Sequence, residues 1–465
     1  MHKNACIFQK IAQWNPYCIL KCNKIVLRGK STRSILKSHE KLIINPTDAG
    51  YEFASSLLHS GQLVSFPTET VYGLGANALN DSAVKKIFSA KDRPYSNPLI
   101  VHILDSNHAI ELTDMKDAEL ELFNKLGDKF WPGPLTIIVK ASNIIPSIIT
   151  AGTGNIAIRI PSHPIARSLL QASKLPIAAP SANRYGHVSP TLCSHVLTDL
   201  GHKNIHVING EYEFENENEH ENVNENENEY EYEYGYARDK FSCEFGIEST
   251  VIKIDCNNDN DSDDILSRGT VTIHRHGAIA QSQIQEIIDI YNKNKNINSS
   301  IHLSKVKQKW DVLSINQYKK HTNSSSNSSS NSALIGEVSP GQSITHYSPT
   351  LPCYIYNDNE NNKNVEFQFS KQDLTSTVIL DFNQKLKKIL KNDIKEVLSY
   401  KDLSSNGSYK YACKILFDSL RWAEIQKNAK YILLVNPTIT TTTTTSESKE
   451  KTKMKIKMMG DEFYD

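Results

Sequence analysis

The chain of 465 residues is 39% hydrophobic with a formal charge of zero, and it has no apolar run of the roughly 18 to 20 residues that a membrane-spanning helix requires. Its 20 Gly and 17 Pro exclude collagen-like and Pro/Gly low-complexity classes, and its eight Cys show no CxxC spacing of a zinc or redox site, so free thiols in a reducing compartment are the default. The zero charge averages unlike pieces: residues 211–236 hold 11 Glu without Lys or Arg, residues 1–39 hold eight Lys/Arg without an acid, and the rest is near neutral, so composition alone does not argue for a nucleic-acid-coating surface.

Residues 1–40 read as a basic leader, either disordered or a targeting segment of mitochondrial-presequence character. From 41 to 280 helix and strand signals alternate. Thr47 or Asp48 can cap a helix with Ala49, Phe53, Ala54, Leu57 and Leu58 on one face, and Gly61 is placed to end it. A short strand follows at 63–66. Asp81 opens a second helix with Val84, Ile87 and Phe88 inward, and further strands are predicted at 99–103, 135–139, 156–160, 177–179 and 247–254. Such alternation predicts an α/β unit on a twisted sheet, with strand order left open.

Three segments are too polar to bury a core: the Glu/Asn/Tyr tract 211–236, residues 257–264 and the Ser/Asn run 323–332. They are expected to loop out, which is tolerable because loop closure costs grow only logarithmically with length. Residues 281–349 read as a linker. A second, smaller α/β unit spans 350–437, with strands at 378–382 and 431–435 around an amphipathic helix at 411–424, and 438–465 reads as a disordered tail.

Four segments could carry chemistry. Residues 66–75 leave a strand and end in Gly73 and Gly75, where backbone can approach a ligand closely; a purely structural turn explains them as well. Lys91 and Arg93 sit two residues apart at a helix end before Pro94, where dipole-matched, solvated cations compete with phosphate binding as the explanation. Residues 178–183 end an apolar strand in small hydroxyl and amide groups, and residues 246–251 begin another strand. Singly, each could be an ordinary strand end.

Together, the ordered set PTETVYGLG (67–75), KIFSAKDRPYSNPLIVHI (86–103), WPGPLT (131–136), IAIRIPSHP (156–164), APSAN (179–183) and FGIESTV (245–251) resembles the YrdC-type threonylcarbamoyl-AMP synthase family over roughly 41–275. SPGQSITHYSPTLP (339–352), followed by a unit containing LFDSLRWAE (416–424), resembles the linker and C-terminal domain of that family's two-domain form. The resemblance implies a YrdC-like twisted open sheet with helices, plus a smaller Rossmann-like α/β domain. The implied activity is condensation of L-threonine, bicarbonate and ATP into L-threonylcarbamoyladenylate and pyrophosphate, with Mg2+ accompanying ATP. A downstream tRNA threonylcarbamoyl-transferase complex would use the product to modify the adenosine next to the anticodon. Neither strong direct nucleic-acid binding nor stable membrane association is expected. The location implied is cytoplasmic, and the basic leader leaves an additional mitochondrial pool open.

Carried across by motif, the resemblance places L-threonine against Thr70, His102, Arg159, the backbone around Ala179, and Ser249. It places ATP against Arg93, Asn97, Asn155, Ser181 and Ser189, with His346 and Tyr347 reaching in from the linker. The Lys-x-Arg pair Lys91 and Arg93 and the Ser-x-Asn pair Ser181 and Asn183 are the implied catalytic groups; no protein residues are nominated as metal ligands. Three anions meet in such a cleft, so fixed cations and a phosphate-bound magnesium ion would stabilise the transition state, and in-line positioning would supply much of the rest. His346 and Tyr347 would close over the product and exclude water, or serve only as a packing anchor between the units.

One departure stands out. The family commonly carries Leu-Arg-Pro-Gly where this chain has Leu266-Ser267-Arg268-Gly269, so Arg268 would have to act from one position away, on a strand where one step changes the face. The C-terminal unit has no phosphate-cradling glycine loop and is assigned no chemistry. A competing reading is a noncatalytic RNA-binding or ribosome-associated protein that uses the same concave surface. Carbamoyl transfer of the hydrogenase-maturation type would call for zinc-binding Cys pairs, which this chain lacks.

Overall fold

Short apolar segments bounded by caps and turns assemble into two sheets in the computed structural model, which describes residues 32–211, 243–256, 266–297, 307–314, 348–356, 371–436 and 456–458. The first sheet contains β1 (Ile43–Ile44), β2 (Val64–Phe66), β3 (Gly73–Asn77), β4 (Ile100–His102), β5 (Leu135–Lys140), β6 (Asn155–Arg159), β7 (Ile177–Ala178), β8 (His206–Ile208), β9 (Thr250–Cys256), β10 (Leu266–Arg275) and β11 (Lys307–Ser314). Their order is β1-β8-β2-β3-β7-β4-β6-β5-β9-β10-β11. The second contains β12 (Cys353–Tyr356), β13 (Thr377–Asp381), β14 (Ser399–Asp402), β15 (Tyr431–Val435) and β16 (Ile456–Met458), ordered β14-β13-β15-β12-β16. It is parallel except at β16, which runs antiparallel to β12.

The caps act where the sequence puts them. The Thr47 side chain accepts from Gly50 N at the start of the helix Asp48–His59, and Gly61 follows that helix with φ 72°. The helix Asp81–Lys91 opens at Asp81 as expected, is capped by Asn80, and buries Val84, Ile87 and Phe88. The ladder beside these helices needs bare backbone. A Cβ on Gly75 would stand 2.8 Å from Phe66 Cε1 and 2.9 Å from Ile177 Cγ2, so only glycine lets β3 lie against those side chains.

Several boundaries differ from the sequence reading. Residues 73–75, the end of the segment 66–75 expected to form a strand-to-loop turn, belong to β3 with residues 76–77, and the strand expected at 247–254 begins at Thr250. Within the segment read as a linker lie the helix Gln281–Ile297 and β11, which pairs in parallel with β10. Ile284, Ile288 and Tyr291 explain why: their spacing of about one helical turn buries them in the first core, which therefore extends past 280. The leader contributes the helix Thr32–Ser38, whose Ile35 and Leu36 pack on that core, and the expected tail contributes β16. The tract 212–236, residues 257–264 and the run 323–332 lie outside the described residues.

Candidate active site

The centre of the first sheet brings four motif segments to one cleft. Parallel pairing of β4 with β6 puts His102 opposite Arg159. Antiparallel pairing sets β7 between β3 and β4, and the ladder continues beyond β7: Leu74 N donates to Pro180 O, Ala182 N to Tyr72 O, and Gly73 bridges Ser181. Segments more than 100 residues apart in sequence thus meet because their strands are neighbours. The cleft, partly open to solvent, spans about 460 Å³, and its lining includes Thr70, Arg93, His102, Arg159, Ser181 and Arg275.

One wall is buried and charged. Arg159 and Glu69 are each only 3% exposed and form an ion pair of 2.8 Å. Glu69 also accepts from Ser162 N, and Arg159 Nη1 donates to Thr70 Oγ1 at 2.9 Å. Arg159 Nε, though buried, has no hydrogen-bond partner among the described residues, and neither has His102 Nδ1. Burial, and then the nearby Arg159 charge, push the His102 pKa down to about 3, so the imidazole is neutral. A buried guanidinium with an unspent donor beside a neutral imidazole and a threonine hydroxyl is suited to a carboxylate and a small polar group. Ala179 lines this wall, and its N–H is committed to Ile100 O.

The opposite wall is a loop. Asp92, with φ 53°, ends the helix Asp81–Lys91 in the left-handed region and turns the chain so that both flanking cations are buried. The solvated-terminus explanation for Lys91 and Arg93 is therefore overturned. Arg93 lines the cleft while Asn97 holds it from behind: Nε donates to Asn97 O at 3.2 Å, and Nη2 donates to Asn97 Oδ1 and to Pro98 O. Lys91 lies in the wall, its ammonium donating to Ser181 O at 2.5 Å and to Asn183 O. Burial, and then Arg93, drive its pKa well down. Asn183 in turn donates to Arg184 O and His187 O, so Lys91 and Asn183 shape the loop that presents Ser181.

Ser189 and Ser249 stand just behind the cleft. Ser189 Oγ donates to Glu248 Oε1 at 2.9 Å, and Ser249 Oγ lies between Thr136 Oγ1 and Arg275 Nη2, 2.8 Å from each. Asn155 begins β6, at the end opposite Arg159, and its amide turns back to Thr153 O, so it is not in the cleft lining. His346 and Tyr347 and the side chain of Arg268 lie outside the described residues. The cationic side chain that the end of β10 does bring to the cleft is Arg275. Its setting, His274-Arg275-His276-Gly277, preserves an Arg-x-Gly spacing and was the signal available in sequence. Glu69 and Glu248 were missed as well, because a carboxylate beside expected anion sites looks unfavourable until its arginine partner is seen.

This α/β sheet with an arginine-lined cleft at its centre defines the class, and comparison with known proteins agrees. The Sua5/YciO/YrdC family model, described as telomere recombination, matches residues 56–231, and the model for the threonylcarbamoyl-AMP synthase C-terminal domain matches 279–448. The chain is 48% identical over 157 residues to the threonylcarbamoyl-AMP synthase of Pyrococcus abyssi, an alignment covering 34% of this chain and 45% of the relative. It is 35% identical over 303 residues to that of Bacillus subtilis, covering 65% of each. The chain thus spans about half to two thirds of the length of these relatives. A crystal structure of P. abyssi Sua5 complexed with L-threonine aligns with a TM-score of 0.54 at 24% identity, over 84% of this chain and 92% of that one, which establishes the shared fold. The chain is also 32% identical over 153 residues to the threonylcarbamoyl-AMP synthase of Pseudoalteromonas atlantica, covering 32% of this chain and 80% of that relative, and it belongs to the threonylcarbamoyl-AMP synthase family.

Proposed function

We propose that the protein condenses L-threonine, bicarbonate and ATP into L-threonylcarbamoyladenylate and pyrophosphate. The observation that carries this reading is Arg159, buried and ion-paired yet with Nε unspent, beside Thr70 and His102 on one wall, while Arg93, Ser181 and Arg275 line the same cleft. The threonine carboxylate would take the free Arg159 donor. The threonine amine attacks the carbon of bicarbonate, water leaves, and the resulting carbamate oxygen attacks the α-phosphorus as the bond to pyrophosphate breaks. Arg93 and Arg275 would offset charge on the phosphates in a site that excludes much of the water, and alignment of carbamate with phosphorus supplies the remainder without a covalent enzyme intermediate.

Magnesium would enter with ATP. Among the described residues no group of three His, Cys, Asp or Glu side chains could cage a metal ion, and Glu248 is the one carboxylate in the cleft lining. Glu248, which also accepts from Ser189 Oγ and stands 3.6 Å from Arg275, would be the protein contact of an ion carried on the triphosphate, which would offset phosphate charge. The product is a mixed anhydride, which suits direct use by an enzyme that transfers the threonylcarbamoyl group to tRNA.

The test is pyrophosphate release by the purified protein with ATP, magnesium, labelled bicarbonate and single amino acids. Release that depends on threonine, with label recovered in an adenylate, is expected. Release indifferent to the amino acid would overturn the reading.

A further inference from the structure

The second unit reaches the segments around the cleft through its long helix and through residues 348–350. Its long helix, Tyr409–Glu424, carries Arg421, which donates to Val188 O and, at 2.8 Å, to Asp199 Oδ2. The same helix ends in Glu424, 3.0 Å from His187 Nε2, while His187 Nδ1 stands 2.9 Å from Asp199 Oδ2. Ser348, at the start of the second unit, donates from its backbone to Gly186 O, and Thr350 Oγ1 donates to Glu424 Oε1 at 2.9 Å. Consecutive residues 186–188 are thereby held by Ser348, Glu424 and Arg421 in turn. Two further cleft segments are gripped in the same way. Val71 and Ile247 sit in the core of the second unit together with Val188, and a Cβ on Gly246 (φ 61°) would overlap Lys414 O of the long helix.

We infer that the C-terminal unit is a positioning element of the active site, holding through Arg421, Glu424 and Ser348 the loop 181–189, which presents Ser181 to the cleft and carries Asn183 and Ser189 behind it. This rests on the proposed reading of that wall as the ATP side. The contacts form a chain: Arg421 and Glu424 fix His187 and Asp199, the His187 carbonyl takes Asn183 Nδ2 at 2.6 Å, and the Asn183 carbonyl takes the Lys91 ammonium. His187 can donate from both ring nitrogens to its two carboxylates only as an imidazolium. Burial and Arg421 oppose that charge, but the hydrogen bonds to Asp199 and Glu424 prevail and raise its pKa. Burial works against charge on both carboxylates as well, yet Arg421 and His187 hold Asp199 well below its ordinary range, and His187 lowers Glu424. Removal of one member leaves buried charge unmatched, so the cluster keeps one arrangement.

The experiment uses the full chain and the variants Arg421→Met, Arg421→Lys and Glu424→Gln. Three readings are taken: hydrogen exchange at residues 184–189, KM for ATP and for threonine with kcat, and the pH profile of kcat. Arg421→Met is expected to speed exchange at those amides at least tenfold and to lower kcat/KM for ATP about tenfold while KM for threonine stays within twofold, with partial recovery in Arg421→Lys. Glu424→Gln removes one of the two carboxylates that face His187, whose other charged neighbours are Asp199 and Arg421. The alkaline limb of kcat should then move to lower pH, and this milder variant decides the matter if Arg421→Met does not fold. Unchanged exchange and unchanged ATP kinetics would overturn the inference, as would a parallel rise of both KM values that follows lost stability. If the unaltered protein releases no threonine-dependent pyrophosphate, the functional reading fails, and the exchange data alone then decide whether the second unit holds the loop.

Discussion

On the Arg159 side of the cleft, Arg159 and His102 stand on adjacent parallel strands, and Glu69 and Thr70 complete the wall from the turn between β2 and β3. On the Lys91 side, Ser181 and Asn183 lie on a loop held by Lys91 within and by Arg421 and Glu424 from outside. The first wall draws its rigidity from the backbone ladder together with the buried Arg159–Glu69 ion pair, all within the first unit. The second depends on buried ion pairs contributed by another unit. On the proposed reading, a small hydroxylated metabolite would be recognised by the sheet's own strand ends, whereas the larger, more charged substrate would be met by a surface that another unit braces.

The largest effect expected from breaking this contrast is at Arg159. Arg159→Ala removes charged hydrogen bonds worth about 3 kcal/mol together, so kcat/KM for threonine should fall about 100-fold in pyrophosphate release with KM for ATP little changed. The change also leaves Glu69 buried without its ion-pair partner, and urea unfolding should register a loss of about 3 to 5 kcal/mol. Equal damage to ATP and threonine kinetics would erase the distinction between the walls. Next comes Gly246→Ala, which puts a methyl group into Lys414 O at a left-handed residue. A loss of about 2 kcal/mol by denaturant titration is expected, with the nucleotide side affected more than the threonine side.

His102 sharpens the comparison through pH. Its folded pKa of about 3 lies below the ordinary 6.5, so the unfolded chain binds the proton first as pH falls. Stability from this residue is fully present above about pH 6.5 and is lost progressively toward about pH 3. His102→Asn should flatten the fall in stability across that window in thermal melts at stepped pH. The smallest effect belongs to Thr136→Val, which deletes the hydroxyl contact to Ser249 and should cost about 1 kcal/mol in the same melts.

Much of the sheet wall was legible in sequence because short-range patterns govern it. Apolar runs marked β4, β5, β6 and β15 to within a residue at either end, the Thr47 cap was recognisable, and Thr70, His102 and Arg159 do meet. Arg275 is masked in sequence by Leu266-Ser267-Arg268-Gly269, which lies nearer the expected position, although His274-Arg275-His276-Gly277 offers the family's Arg-x-Gly step with His in place of Pro. The helix Gln281–Ile297 was read as linker despite Ile284, Ile287, Ile288 and Tyr291 falling at helical spacing, since the Asn- and Lys-rich composition around it masked the signal. The brace on the loop wall was illegible for a deeper reason. Arg421 and Asp199 are 222 residues apart, and His187 and Glu424 are separated by 237. No local periodicity pairs residues over such distances; only the packing of one unit on the other does.

The near-touching of Gly246 and the Lys414 carbonyl sets a condition on any hybrid enzyme assembled from this catalytic half and a foreign carboxy-terminal half. Joining the pieces at the tether would not suffice. The donor of the first half must bring a residue without a side chain to that junction, and a graft that ignores this would seat askew and leave its active-site loop unsupported.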